Sequence, residues 1–366
     1  MLTGEEKSEV KIKQYALLIG VMAAANANAQ SVQIYGLIDS GVMYTSNVGG
    51  KKLFSIDPDS QAPDLFGLVG GEDLGGGTKA IFKLEGQFNM NNGAMINGLF
   101  GHTAYVGLKD EKWGTLTAGN QIDFMFDSLV AQRWGPAFPV VNAMNLRQSS
   151  FQGLNSPRGG PGNGSFDFDR LLGSAIPNAI KYTSPTYNGF SFGGLYSFGG
   201  VAGNFGSNSA QSFGVNYRNG GFSLNGAYTY IKYPSLNAGN DGIRNFGVGA
   251  SYILGAAEFA ALYTNTENTQ NSARIDVYEG DLTYELSTPL HAHFSYQYQK
   301  GNEVLNEQHV NQETLSLVYL LSKRTSLYST LAFQQSSGGP AWILMAAGPA
   351  SGGRQTAFSL GLIHSF

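Results

Sequence analysis

The sequence predicts an all-β protein: a 16-stranded antiparallel transmembrane β-barrel with an inward-folded long third external loop. Three observations predict this fold class. The final ten residues alternate apolar and small or polar side chains, as a strand with one apolar face does. The chain has 50 Gly, 19 Tyr and 23 Phe but only 13% charged residues, against about 25% in soluble domains. Alternating segments of about ten residues recur along the chain, which is the pattern of a membrane barrel.

The C-terminal strand is the strongest single signal. Its apolar side chains recur at even positions: Phe358, Leu360, Leu362 and Phe366. Such a face suits contact with lipid, and a terminal aromatic ring suits the interfacial aromatic girdle of a barrel. The segment also resembles the C-terminal signal that outer-membrane barrels present to their assembly machinery. We therefore expect this machinery to be a partner through the Phe366 strand.

Composition excludes several other classes of protein. No run of about 20 apolar residues exists, which excludes transmembrane helices. Cysteine is absent, so disulfides and thiolate metal sites are excluded. The net charge of −4 argues against nucleic acid as a partner.

The N-terminus is predicted to be an export signal. Lys11 and Lys13 form a basic region, residues 15–25 form an apolar core, and a small-x-small cleavage motif follows. We therefore expect a signal peptide over 1–29 and a single barrel domain over 30–366.

Turns and loops give the strand count. Seven short turns rich in Gly, Asn and Pro are expected at 74–77, 109–114, 185–189, 218–221, 253–256, 286–289 and 321–324. Eight longer polar loops are expected at 47–62, 91–98, 123–175, 201–208, 233–242, 267–273, 301–309 and 337–354. Their alternation gives sixteen strands, and a barrel of that width leaves an aqueous channel, whereas eight strands would suffice for a scaffold.

The loop over 123–175 is unusually long. Loops of more than roughly 15 residues are uncommon, and most of them are either functional or disordered. Its large aromatic residues include Trp134, Phe138, Phe151, Phe166 and Phe168. We expect it to fold into the lumen and narrow it. The alternative is a disordered loop, with the Gly-rich stretch 159–164 mobile.

Six segments together resemble the trimeric general porins of beta-proteobacteria. These are 32–39, 72–77 with 79–85, 104–108, 181–185, 321–325 and the terminal Phe366. The resemblance implies a homotrimer in the outer membrane of a Gram-negative bacterium, in contact with lipid and lipopolysaccharide, whose third external loop forms the pore eyelet. Such porins usually carry cationic side chains, mostly arginines, on the pore wall; the corresponding positions here are Leu65, Val69, His102, Asn120 and Ala175.

Charged residues on the lumen side are the candidate site. Strand parity places Lys79, Lys83 and Glu85 in the lumen, because a lysine on the lipid side would cost roughly 2–4 kcal/mol at the bilayer midplane. It also places Asp39 there. Charges within a Debye length of about 8 Å set the energy of a passing ion. The candidate constriction residues are Asp39, Lys79, Lys83, Glu85, Asp123, Asp127, Arg133, Arg147, Arg170 and Lys181.

The function expected is passive diffusion of ions and small hydrophilic solutes, with weak selectivity because the wall arginines are missing. The alternative is a substrate-specific channel with a reorganised eyelet. His291 and His293 share one strand face about 7 Å apart; they are interpreted as lumen wall rather than as metal ligands, since zinc needs further ligands. The chain has only five histidines for acid–base chemistry, so no enzyme, metal site or cofactor is expected.

Overall fold

The computed structural model describes residues 31–133, 142–158 and 164–366. The expected signal peptide, the aromatic residues Trp134 and Phe138, and most of the Gly-rich stretch lie outside these ranges. Within them, no helix combines the length and the apolar character that crossing a membrane would require. Since the described ranges begin at residue 31, cleavage of the signal peptide after Ala29 stays a prediction.

The described part of the chain forms eighteen strands in one antiparallel sheet. They are β1 Ser31–Val48, β2 Lys51–Pro58, β3 Leu65–Gly75, β4 Thr78–Phe88, β5 Met95–Ile96, β6 Thr103–Asp110, β7 Gly114–Ile122, β8 Ala175–Thr183, β9 Phe190–Ser197, β10 Ala210–Asn219, β11 Phe222–Lys232, β12 Gly242–Leu254, β13 Ala257–Asn268, β14 Arg274–Ser287, β15 Leu290–Gly301, β16 His309–Leu320, β17 Thr325–Ser336 and β18 Arg354–Ser365. Short helical segments lie at Phe124–Phe126, Asp127–Gln132, Ala143–Asn145, Gln152–Leu154, Asn237–Gly239 and Glu303–Leu305.

The sheet closes on itself as a barrel. β1 pairs with β18 from Leu37 opposite Ser365 to Thr45 opposite Ala357. β2 and β3 both pair with β1 and are two parts of one barrel strand, and β5 only adds a two-residue pairing to the end of β4. The barrel therefore has sixteen strands, and the predicted strand number and short turns are confirmed.

The two faces of the wall differ in polarity, as β14 illustrates. Tyr278 and Tyr284 are 54% and 45% exposed on one face. Glu279, Asp281 and Thr283, at the intervening positions, are buried on the other. Apolar side chains thus face outward to lipid, and polar side chains face inward, as a barrel around an aqueous channel requires.

The first external loop differs from the expectation of an irregular segment over 47–62. β1 continues to Val48, turns through Gly49 and Gly50, and returns as β2. Both glycines have positive φ, +58° and +93°, which residues with a Cβ rarely adopt, and Gly-Gly pairs favour tight hairpins. The irregular part is confined to residues 59–64, between β2 and β3.

A residue larger than glycine at position 36, where β1 meets the end of β18, is expected to clash with its neighbours. The Gly36 backbone exchanges hydrogen bonds with Phe366, at N···O distances of 3.1 and 3.0 Å, and an added Cβ would lie 2.3 Å from the Phe366 ring. Gly36→Val is expected to lower the refolding yield several-fold, since overpacking costs about 1–3 kcal/mol. The yield is measured as the folded band on unheated SDS gels. Gly280→Val is the matched control, because its Cβ would meet nothing within 4 Å; equal losses would contradict the seam argument.

Candidate pore constriction

A cluster around Glu85 lies on the inner wall. Its carboxylate accepts a hydrogen bond from the Tyr35 hydroxyl at 2.5 Å and lies 2.9 Å from Lys83 Nζ and 2.8 Å from His102 Nδ1. Glu85 is only 3% exposed, and the Lys83 ammonium also lies 5.8 Å from the Tyr35 ring centroid. Since the lysine and the carboxylate neutralise each other, this patch contributes little net charge when His102 is neutral.

Asp39 anchors the irregular segment 59–64. One carboxylate oxygen accepts hydrogen bonds from the backbone N–H groups of Gln61 and Ala62 at 2.6 and 3.0 Å. The other accepts a hydrogen bond from the Tyr328 hydroxyl at 2.6 Å. Asp39 is fully buried, so its place in the structure is that of an anchor for this segment.

Two arginines tie the third external loop, residues 123–174, to β14. Arg133 lies 3.0 Å from a Glu279 oxygen and 3.1 Å from an Asp281 oxygen. Arg147 pairs with Glu279 as well, and its Nε lies 3.2 Å from Asp169. All five side chains are buried. The contact is therefore a shielded ionic network in which three carboxylates face two guanidinium groups.

The remaining loop cations are also paired. Arg170 pairs with Asp123 and Arg158 pairs with Asp167. Lys181 of β8 reaches an Asp127 oxygen at 2.5 Å. The four loop arginines, for which the sequence left open whether they face the lumen or pair with acids, and Lys181, which the sequence placed on the pore wall, are each paired with an acid.

Burial changes the titration of the loop acids. It raises the pKa of Asp169 to about 6, against the opposing effect of Arg147. It also raises the pKa of Asp167, an effect that Arg158 opposes. Because the pKa of Asp169 lies above the ordinary range of an aspartate, this carboxyl loses its charge as pH falls through about 6. Its ion pair with Arg147 is thus expected at neutral pH and lost in acid.

The eighth external loop, residues 337–353, packs on the third, which the sequence did not predict. Leu344 is fully buried in the same apolar cluster as Leu146 and Leu171. Ile343 packs with Met144 of the third loop and Met43 of the wall. The one sequence signal was the apolar run 341–347 inside an otherwise polar loop.

Two wall glutamines hold the eighth loop in place. Gln334 Oε1 accepts a hydrogen bond from the backbone N–H of Trp342 at 2.6 Å. Its Nε2 donates to the backbone carbonyl of Gln148, in the third loop, at 3.1 Å. Gln355 Oε1 accepts from the Ile343 N–H at 2.8 Å. The two loops and the wall therefore form one hydrogen-bonded unit.

A narrow cavity of about 50 Å³ separates the wall from these loops. It is lined by Asp59, Pro63, Gln87, His102, Ala143, Leu172, Gly173, Ser174 and Met345. A water molecule occupies about 30 Å³ of liquid, so the cavity has room for one or two waters. Its wall side is polar, and its loop side is mostly apolar.

The structure groups the predicted site residues into separate sets. The grouped pairs are Lys83 with Glu85, Asp123 with Arg170, Asp127 with Lys181, and Arg133 with Arg147 through Glu279. Asp39 stands apart with Tyr328, and Lys79 is exposed beside the short turn that precedes β4. Sequence reasoning missed Glu279 and Asp281, although their spacing of two on an alternating strand places both on the lumen face.

The two histidines on β15 both make polar contacts within the wall. His293 Nδ1 lies 3.0 Å from the Thr283 hydroxyl, and His291 Nε2 lies 3.2 Å from the Thr288 carbonyl. Across residues 31–133, 142–158 and 164–366, no group of three or more potential ligands could hold a metal ion. Both histidines belong to the barrel wall.

A closed barrel of sixteen strands, apolar outside and polar inside, defines a channel-forming protein of the outer membrane. The family model described as Gram-negative porin matches residues 16–339. The chain belongs to this family, whose members are channels rather than enzymes, and it is a porin of the Gram-negative outer membrane.

Individual relatives agree with the family assignment. The chain is 30% identical to an outer membrane porin protein of Bordetella pertussis over 69% of this chain and 68% of the relative. It is 27% identical to outer membrane porin protein 32 of Delftia acidovorans over 97% of this chain and 100% of the relative. The anion-selective porin from Comamonas acidovorans has the same fold, with a TM-score of 0.74 at 22% identity over 92% of this chain and 100% of that one.

Proposed function

We propose that this porin is a weakly selective channel for passive diffusion of ions and small hydrophilic solutes. The observation that carries the proposal is the pairing of the four loop arginines and Lys181 with acids. Paired charges of opposite sign largely cancel in their effect on a passing ion, so neither anions nor cations are strongly favoured. The experiment that tests it is a reversal potential under a salt gradient.

We infer that the third external loop lies inside the barrel and forms the constriction together with the eighth. The loop arginines contact Glu279 and Asp281, which alternate with the exposed Tyr278 and therefore project from the inner face of β14. In this proposal the ten candidate residues act in two ways. Lys79, Lys83 and Glu85 line the path, whereas Asp39 and the paired loop residues hold the constriction in shape.

A substrate-specific channel is the second candidate. The cavity of about 50 Å³ favours it, because Leu172 and Met345 face Asp59 and Gln87 across that space. A pore bordered by these side chains would favour a slim solute that presents an apolar side to the loops. Saturable conductance with one solute class would support this candidate over free diffusion.

We further propose that the protein is a homotrimer in contact with membrane lipid and lipopolysaccharide. In this proposal the chain is exported with removal of residues 1–29, and the assembly machinery inserts it through its C-terminal strand. The trimer rests on the family and on OmpT of Vibrio cholerae, which was solved in a trimer form and shares this fold, with a TM-score of 0.65 at 15% identity. The mass of the native complex in detergent tests it, and a monomeric mass would contradict it.

Neutralising Glu85 is expected to change the ion selectivity of the channel. Glu85→Gln removes the carboxylate that balances Lys83, so the wall gains one positive charge. At about 8 Å in water one charge stabilises an anion and destabilises a cation by roughly 0.5 kcal/mol each, which predicts a rise of about five- to sixfold in the anion-to-cation permeability ratio. The ratio is measured from the reversal potential. Glu303→Gln, in an exposed loop, should leave it unchanged; equal shifts in both variants would contradict the assignment of Glu85 to the path.

A further inference from the structure

The lumen has a second, larger cavity at the end of the barrel where the short turns lie. Its volume is about 610 Å³, within the roughly 300–1,000 Å³ of small-molecule sites. Aliphatic side chains from four strands line it: Leu37, Ile253, Val318, Leu320 and Ile363. An inner wall that only had to conduct water would carry polar residues at these positions. The cavity therefore offers an apolar surface inside an aqueous channel.

A buried carboxylate borders this cavity. Glu258 of β13 lies opposite Ile253 on β12 and Thr283 on β14, and it is only 5% exposed. Its Oε1 atom has no hydrogen-bond partner in the part of the chain that the structure describes. Leaving a buried carboxylate oxygen without a donor is costly. A bound molecule that carries N–H donors would supply the missing contact.

The nearest cations are engaged with other groups. Arg133 binds Glu279 and Asp281, and Arg218 donates to the Gln132 carbonyl at 2.6 Å. The positive charges of Arg133 and Arg218 lower the free-energy cost of the ionised Glu258 carboxylate. They do not supply the hydrogen-bond donor that Oε1 lacks. Ser251 also lies beside the Glu258 carboxylate, and a ligand ammonium would add a donor at Oε1.

Positive charge lies at the outer rim of the same cavity. Lys323 and Arg324, in the short turn between β16 and β17, line it and are exposed. Glu285 and His291, paired across β14 and β15, complete the rim. The cavity thus combines an acceptor at its inner end, aliphatic side chains along its length and a mouth where two cations outnumber one acid.

We propose that this cavity is a binding site for zwitterionic solutes with an aliphatic body. The ammonium group binds Glu258, the hydrocarbon lies over Leu37, Val318 and Ile363, and the carboxylate reaches Lys323 or Arg324. This inference rests on the proposed channel function and names the class of solute that the channel retains near its inner mouth.

The test is block of single-channel current by three six-carbon probes: 6-aminohexanoate, hexylammonium and hexanoate. The zwitterion is expected to block at a concentration at least tenfold lower than either singly charged probe. Glu258→Gln is expected to weaken that block about tenfold, and Val318→Ser to weaken it several-fold. Glu303→Gln, in an exposed external loop, is expected to match the wild type in both conductance and block.

The outcomes separate this inference from the proposed function. A channel that conducts but is blocked equally by all three probes, or by hexylammonium best, overturns the zwitterion site. Unchanged block in Glu258→Gln also overturns it. Calorimetry of the three probes with the detergent-solubilised protein measures binding without any current. A protein that binds 6-aminohexanoate but does not conduct contradicts the channel and leaves the site standing.

Discussion

Replacing Arg147 by methionine is expected to detach the third external loop from β14 and to destabilise the folded barrel by about 3–5 kcal/mol, the usual cost of breaking a buried ion pair. The guanidinium group is fully buried between Glu279 and Asp169. Its loss leaves Asp169 without its arginine and Glu279 with only Arg133. The loop should then become sensitive to limited proteolysis within residues 142–174, and the single-channel current should become larger and noisier.

Arg244→Met is the matched control for this substitution. Arg244 pairs with Glu267, but its side chain is 44% exposed, and exposed pairs contribute at most about 1 kcal/mol. Proteolysis and current should therefore resemble the wild type. If Arg147→Met and Arg244→Met behaved alike, the buried network would not be what holds the loop.

Replacing Leu344 by aspartate is expected to separate the eighth loop from the third. Leu344 is fully buried against Leu146 and Leu171. An isolated charge in that contact costs several kcal/mol, and moving the loop into water relieves this cost. The passage lined by Met345 should widen, so single-channel conductance should rise by half or more.

Ala347→Asp separates packing from charge in this experiment. It adds the same charge to the same loop, three residues away, at an exposed position. If the effect of Leu344→Asp were electrostatic, Ala347→Asp would reproduce it. Conductance equal to the wild type in Ala347→Asp, with a rise only in Leu344→Asp, is the expected result.

Local patterns explain why the barrel could be predicted. Strand alternation and turn chemistry are properties of ten-residue windows, so the strand number and the short turns were readable from the sequence. The Gly49–Gly50 hairpin carried a comparable local signal, but it was hidden because the polar residues around it resembled an irregular loop.

The arrangement of the loops depended on long-range contacts instead. Arg133 meets Glu279 across 146 residues of chain, and no local pattern specifies that partner. The inward face of Glu279 could be predicted from parity, but its pairing with Arg133 and Arg147 could not. For the same reason the sequence could not decide whether the loop arginines would face the pore or be neutralised.

The packing of Leu344 shows a third kind of limit. An apolar run in an external loop indicates that the loop packs on something, yet it does not say on what. The partner surface comes from the third loop, almost 200 positions earlier in the chain. Only the folded barrel brings these two segments together.

The reversal potential of the refolded mature protein under a KCl gradient tests the central claim most directly. The claim is that the paired charges leave the constriction nearly neutral. It predicts large ohmic current steps with a reversal potential close to zero. A reversal potential close to the chloride equilibrium potential would contradict it, because such anion selectivity would require Lys79, Lys83, Lys181 or the loop arginines to act as unpaired charges in the pore.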